Sequence, residues 1–145
     1  MATAALTAVA LLAGCSSADT KNEYVDTVNA IQTDALQAVN DATVTQPNSK
    51  AQVIEQLESA EKILGDAVAD LEAVDVPEEA QDGHPKLVAG IDEMRKLFAD
   101  TARKIGSASS AESIAELTSL VGESSTIGAE IDAAITQINQ DLGAE

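Results

Sequence analysis

Along most of this chain apolar side chains recur at alternating spacings of three and four residues, the period of one helix face and not the strict alternation of a half-buried strand. In the first such stripe Tyr24, Val28, Ile31, Ala35, Ala38 and Ala42 share a line, flanked by Val25, Leu36 and Val39. It should end near Thr43, because Val44-Thr45 is β-branched and Gln46-Pro47-Asn48 has the chemistry of a turn. The second opens with Ser49 and Gln52 at capping-box spacing and runs through Val53, Leu57, Ala60, Leu64, Ala67, Leu71 and Val74, with Ile54, Ile63 and Val68 beside it. It stops at Asp75-Val76-Pro77, since a residue before proline avoids the helical region. Each of these patterns predicts about 25 helical residues, roughly 37 Å at 1.5 Å per residue.

Residues 77–82, Pro77-Glu78-Glu79-Ala80-Gln81-Asp82, suit a short helical segment with proline at its first position and acids in its first turn. Gly83-His84-Pro85 then interrupts or kinks it. A third long helix follows through Leu87, Ile91, Met94, Phe98, Thr101 or Ala102, and Ile105, with Gly106 as its C-cap. Ser109 and Glu112 form another capping-box spacing before the longest helix, roughly Ser110 to Leu142. Its stripe is Ile114, Leu117, Val121, Ser124, Gly128, Ile131, Ile135, Ile138 and Leu142.

Four amphipathic helices joined by loops of under about ten residues predict an all-α fold, an up-down-up-down antiparallel four-helix bundle. A three-helix bundle is the alternative, should the first helix fray. With 145 residues the chain suits a single domain. Charge adds a pairing rule. Five of the eight basic residues, Lys86, Arg95, Lys96, Arg103 and Lys104, lie on the third helix, whereas the fourth is acidic and carries no base. The two should lie antiparallel with partly complementary faces, although burial drives the association and each exposed pair adds only ~0 to 1 kcal/mol. Tyr24 and Phe98 are the only aromatics, so the core must be aliphatic and rich in alanine. The net charge of -17 argues against nucleic acid, whose phosphates require Lys and Arg, and against adhesion to anionic lipid by charge alone.

The N-terminal end carries a different signal. An apolar run closes on Leu12-Ala13-Gly14-Cys15 and gives way at once to the polar Ser16-Ser17-Ala18-Asp19. This resembles a bacterial lipobox and implies a membrane lipoprotein of the small kind found in Gram-positive bacteria, actinobacteria among them, with a helical body. In that family the cysteine thiol takes up a diacylglyceryl group as a thioether, and cleavage before it leaves the lipidated cysteine as the new N-terminus. Carried onto these residues, the resemblance implies a signal peptide over 1–14, lipid on Cys15 and a short tether over 15–22, with Asp19 or Thr20 as a helix N-cap and the bundle over 23–145. Two or three acyl chains would hold the product stably on the outer face of the cell membrane. Met1 to Leu6 lacks the Lys or Arg with which such signals normally open, so either the start lies upstream of Met1 or the export signal is weak. Without the lipid, Cys15 would be an ordinary thiol after an apolar helix of about a dozen residues, shorter than the roughly 20 that span a bilayer.

Little else in the chain has the makings of chemistry. His84 is the only histidine, and none of Cys-x-x-Cys-His, His-Glu-x-x-His or Glu-x-x-His occurs. A place in solvent or at the helix start is expected for it, ahead of a ligand role alongside Met94. Asp75, Glu78, Glu79 and Asp82, with His84, are weak candidates for holding a hard cation at one bundle end, but their spacing matches no EF-hand loop, and a solvated acidic face is the plainer expectation. Gly122, Ser124, Ser125 and Gly128 interrupt the fourth stripe, where each glycine costs ~1 kcal/mol relative to alanine. Either a neighbouring helix approaches closely there, or the bundle has a kink or small gap that admits a ligand. No serine, cysteine or carboxylate pair comes with the base and orienting group that activation requires, so a non-enzyme without a cofactor is expected. The overall expectation is a lipid-anchored, extracytoplasmic binding or scaffold module of the cell envelope. Its partner would be an envelope protein or wall component. The alternative is a carrier of metal or a small ligand.

Overall fold

A computed structural model describes residues 16–143; for residues 16, 17, 110–115, 118 and 121 it describes the backbone alone. Residues 1–14 and Cys15 lie outside that range. Four long helices make up the body: α1 (Ser16–Thr43), α2 (Lys50–Glu72), α3 (His84–Ser107) and α4 (Ser110–Leu142), with one 3₁₀ turn at Glu78–Ala80.

Side-chain contacts fix the direction of each helix. Tyr24 near the start of α1 reaches His84 at the start of α3, whose ring also meets the Leu71 carbonyl at the end of α2. At the opposite end Gln56 of α2 donates to the Thr45 carbonyl just beyond α1, and Lys50 donates to the carbonyls of Gly106 and Ala108 at the end of α3. Gly83, the cap before α3, and Gly90 within it lie against Ile138 and Ile131 of α4, while Lys104 pairs with Glu116. Consecutive helices therefore run antiparallel. The fold is an up-down-up-down four-helix bundle.

Local signals account for most boundaries. Ser49 Oγ accepts from the Gln52 amide at 3.3 Å, and Gln52 Oε1 accepts in return from the Asn48 amide at 2.9 Å, so two donors at the start of α2 are satisfied reciprocally. α4 ends where Gly143 takes a φ of 73°, the left-handed conformation that closes a helix and suits glycine. Three boundaries depart from the sequence reading. The segment expected to be a tether is already helical from Ser16, so Asp19 and Thr20 lie inside α1, and Lys21 ties this first stretch to Glu79 at 2.8 Å. α2 closes at Glu72 because the amide of its capping residue Ala73 turns back onto the carbonyls of Asp70 and Leu71. α3 continues past Gly106 to Ser107, with Ala108 as the cap.

The core forms two clusters. One, at the His84 end, gathers Tyr24, Val28, Leu71, Ala80, Leu87, Ile91, Ala134 and Ile138. The other, at the far end, holds Leu57, Ala102, Ile105 and Leu120. α4 comes close at Gly83, the α3 cap, and at Gly90. A Cβ on Gly83 would stand 2.5 Å from Ile138 Cγ1, and one on Gly90 would stand 2.8 Å from Ile131 Cγ1. Close approach, expected at the glycines of α4, is thus made by those of α3: open space surrounds the Cβ positions of Gly122 and Gly128.

The expected charge complementarity between α3 and α4 is realised at one described ion pair, Lys104 with Glu116 at 3.3 Å. Lys86 also reaches α4, donating to the neutral Gln137 side chain at 2.8 Å, whereas the remaining three bases find nearer partners. Asp92, one turn away, receives Arg95 Nε at 2.8 Å and Lys96 at 2.6 Å, and Asp100 receives Arg103 at 2.6 Å. Arg95 also reaches Glu61 of α2 at 3.1 Å. Three of the five bases thus meet an acid three or four residues earlier on their own helix, while Lys104, with Asp100 in the same relation, reaches Glu116 of α4 instead.

Candidate functional site

α1 packs onto α2 along much of its length, yet its burial falls away toward its C-terminal half. Tyr24 and Val28 are buried, Ile31, Ala35 and Val39 are half-buried, and Leu36 is 67% exposed. Opposite this half, α4 presents Ser124 and Gly128, whose small side chains cannot fill the space. The result is an apolar groove of about 370 Å³ between α1 and α4. Its walls are Ile31, Ala35, Leu36 and Val39 on one side and Ser124, Gly128, Ile131 and Ile135 on the other; Leu64 and Ala67 of α2 and Ile91, Met94 and Phe98 of α3 form its floor. Ile31, Leu64, Ile131 and Ile135 also pack on the first core cluster and Phe98 on the second, so the groove lies between the two.

Two polar side chains join this lining. Asp132 is exposed, and it is the one charged side chain among the lining residues. Gln32 is half-buried, and its Nε2 is shut off from solvent with no hydrogen-bond partner among the described residues. Gln32 also borders a void of about 20 Å³ beside Tyr24, room for roughly one water. The Ser124 hydroxyl is turned back onto the Leu120 carbonyl, one helical turn earlier.

Of the four residues singled out in α4, Ser124 and Gly128 line the groove, whereas Gly122 and Ser125 are exposed and take no part in it. Gln32, Met94 and Phe98 had no visible tie to that stretch, because nothing in a single sequence sets the rotation of one helix against another. The period itself carried a partial hint. The line of deepest burial on α4 runs through Leu120, Ile127, Ala134 and Ile138. At about 100° per residue Ser124 and Gly128 lie roughly 40° to 100° round the helix from that line, which leaves that flank facing the gap.

At the acidic end the candidates are not drawn together. Asp75, Glu78, Glu79 and Asp82 are exposed. Glu79 is paired with Lys21, and that hydrogen bond holds its carboxyl below the ordinary glutamate value. His84, expected in solvent or at the helix start, does open α3, but as a buried residue, 6% exposed. Its Nε2 lies 3.1 Å from the Leu71 carbonyl, an atom that can only accept, so in the neutral ring Nε2 donates and Nδ1 accepts from the Tyr24 hydroxyl at 3.0 Å. The two rings meet edge to face with centroids 5.7 Å apart. Both ring nitrogens are engaged inside the protein, so His84 is a core link among α1, α2 and α3 and leaves no lone pair for a metal or for a haem shared with Met94. Among the described residues no group of three or more His, Cys, Asp and Glu is placed to hold a metal ion.

Among the described residues no helix is long and apolar enough to cross a membrane. The chain matches no protein-family model, no curated protein and no solved structure.

Proposed function

We propose that this protein is a lipid-anchored, extracytoplasmic binding protein that holds a small apolar ligand in the groove between α1 and α4. The groove carries the reading: an apolar recess of about 370 Å³ at mid-bundle, left open by small residues where a core would normally close. Such a volume falls in the range of sites for small molecules, roughly 300 to 1,000 Å³. Lipid on Cys15 would tether the body at the outer face of the membrane, since an acidic protein of net charge -17 gains no hold on anionic lipid from its own charge. No nucleophile with its base lines the groove, which fits a role in binding and not in catalysis.

The tether and the groove are tested separately. Cells fed labelled palmitate should label the wild type and not Cys15→Ser; equal label in both would refute the anchor. Native mass spectrometry of protein taken from its own host should show a non-covalent mass that is lost in Gly128→Leu, a variant that fills the groove. A bare protein, or an adduct unaffected by filling the groove, would refute the carrier reading.

A further inference from the structure

Resting on the lipid anchor proposed for Cys15, we infer that the bundle stands end-on on the bilayer, its His84 end toward the headgroups, and opens its groove to the aqueous side well clear of the membrane. Three observations carry this. First, anchor and body are joined without slack. α1 is helical from Ser16, the residue after Cys15, and Lys21 fastens this first stretch to Glu79 at 2.8 Å. The anchored end of the bundle is therefore the one where Tyr24 meets His84 and the end of α2. Second, the groove wall from Ile31 to Val39 lies about 22 to 34 Å along α1 from Ser16 at 1.5 Å per residue. Headgroups add only about 5 to 8 Å on each side of the hydrocarbon core, so an upright α1 lifts the groove beyond them. A ligand then enters from water or from a partner that meets the flank, and not by sliding out of the leaflet. Third, no flank offers free cations to an anionic leaflet. Beyond Lys21, α1 and α4 carry acids and no base, and on α2 Lys50 and Lys62 are outnumbered by acids. α3 is the basic helix, but Arg95 and Lys96 are held by Asp92, Arg103 by Asp100 and Lys104 by Glu116. Lying on any side would set like charge against like or break these pairs. Asp75, Glu78 and Asp82 at the anchored end are acidic too. α1 starts five residues before the Lys21–Glu79 contact, about 7.5 Å, so these acids stand roughly one Debye length (~8 Å) from the anchored residue.

The test uses the lipidated protein purified from its own host and reconstituted on a supported bilayer of phosphatidylcholine and phosphatidylglycerol. Neutron reflectometry should show a protein layer about 40 to 50 Å thick, the length of α1 and α4. A bundle lying on its side, two helices deep, would give about 20 Å. Which end is down is read by energy transfer to a headgroup-labelled lipid over a short-range dye pair. With the Cys15 sulfur held in the thioether, the exposed-site variants Val44→Cys and Asp82→Cys each offer one thiol for the donor. Asp82→Cys should transfer several-fold more efficiently than Val44→Cys. A layer near 20 Å, or transfer from Val44→Cys equal to or above that from Asp82→Cys, would overturn the end-on stance while leaving the anchor in place. Cys15→Ser should leave no protein layer. If it leaves the same layer as the wild type, the anchor is refuted, and the proposed placement at the membrane falls with it.

Discussion

Gly128 has open space where a Cβ would stand, and Gly90 has Ile131. Replacing each by alanine should therefore have opposite effects. Gly128→Ala gains helix propensity without a clash and should raise stability by ~1 kcal/mol. Gly90→Ala must push Ile131 and α4 away and should cost about 1 to 3 kcal/mol. Chemical denaturation of the two variants against the wild type checks both signs. Tyr24 offers a second test, because it is the only tyrosine in the chain and its ultraviolet titration reports one site. Burial raises its phenol above the ordinary tyrosine value. With the native value raised, the contribution to stability is complete below about pH 10, where both states keep the proton, and is lost as pH climbs through the native value. Unfolding measured from neutral to strongly alkaline pH should show that decline in the wild type and less of it in Tyr24→Phe. At neutral pH Tyr24→Phe strands His84 Nδ1 and should cost about 1 to 3 kcal/mol.

At the scale of the helices, α3 acts as the hub, meeting α2 on one side and α4 on the other, while its own acids neutralise most of its bases. Asp92 is held below the ordinary aspartate value by its hydrogen bonds to Lys96 and then Arg95, as Glu79 is by Lys21. Depressed carboxylates stabilise the fold above their unfolded values near pH 4, and that contribution disappears as pH falls through the lower native ones. Denaturant midpoints between pH 6 and pH 2 should fall less steeply for Asp92→Asn than for the wild type. Helix existence and order were legible from the three-and-four spacing, and the α2 cap from Ser49 and Gln52. Which bases pair with which acids was not. A sequence shows that α3 is basic and α4 acidic, but not that Arg95, Lys96 and Arg103 turn to acids of their own helix while Lys104, four residues after Asp100, pairs with Glu116 of α4.

For the molecule as a whole, 25 acids face eight bases. Self-repulsion at -17 should outweigh the few exposed ion pairs. Adding salt should then raise the melting temperature, since screening relieves more repulsion than attraction. A scanning-calorimetry series in sodium chloride checks this, and a falling melting temperature would show the ion pairs to dominate. The groove belongs to this scale as well. It exists because α1 packs on α2 more closely than it meets α4, so the fourth seam of the bundle stays partly open at its middle. Ser124 and Gly128 were legible as an anomaly in the α4 stripe, while the floor residues Met94 and Phe98 read as ordinary core.

Periodicity, turn chemistry and caps, all local in range, were enough to specify four antiparallel helices, because each depends on neighbours within a turn or two of the chain. The lipobox-like stretch ending at Cys15 is equally local and reads the same with or without a fold. Helix rotation and seam closure were decided only in three dimensions, since they depend on volumes meeting across the bundle. That is why His84 turned out buried between Tyr24 and Leu71, why glycines of α3 and not of α4 admit the neighbouring helix, and why Gln32 came to rest beside an apolar groove with an amide hydrogen to spare.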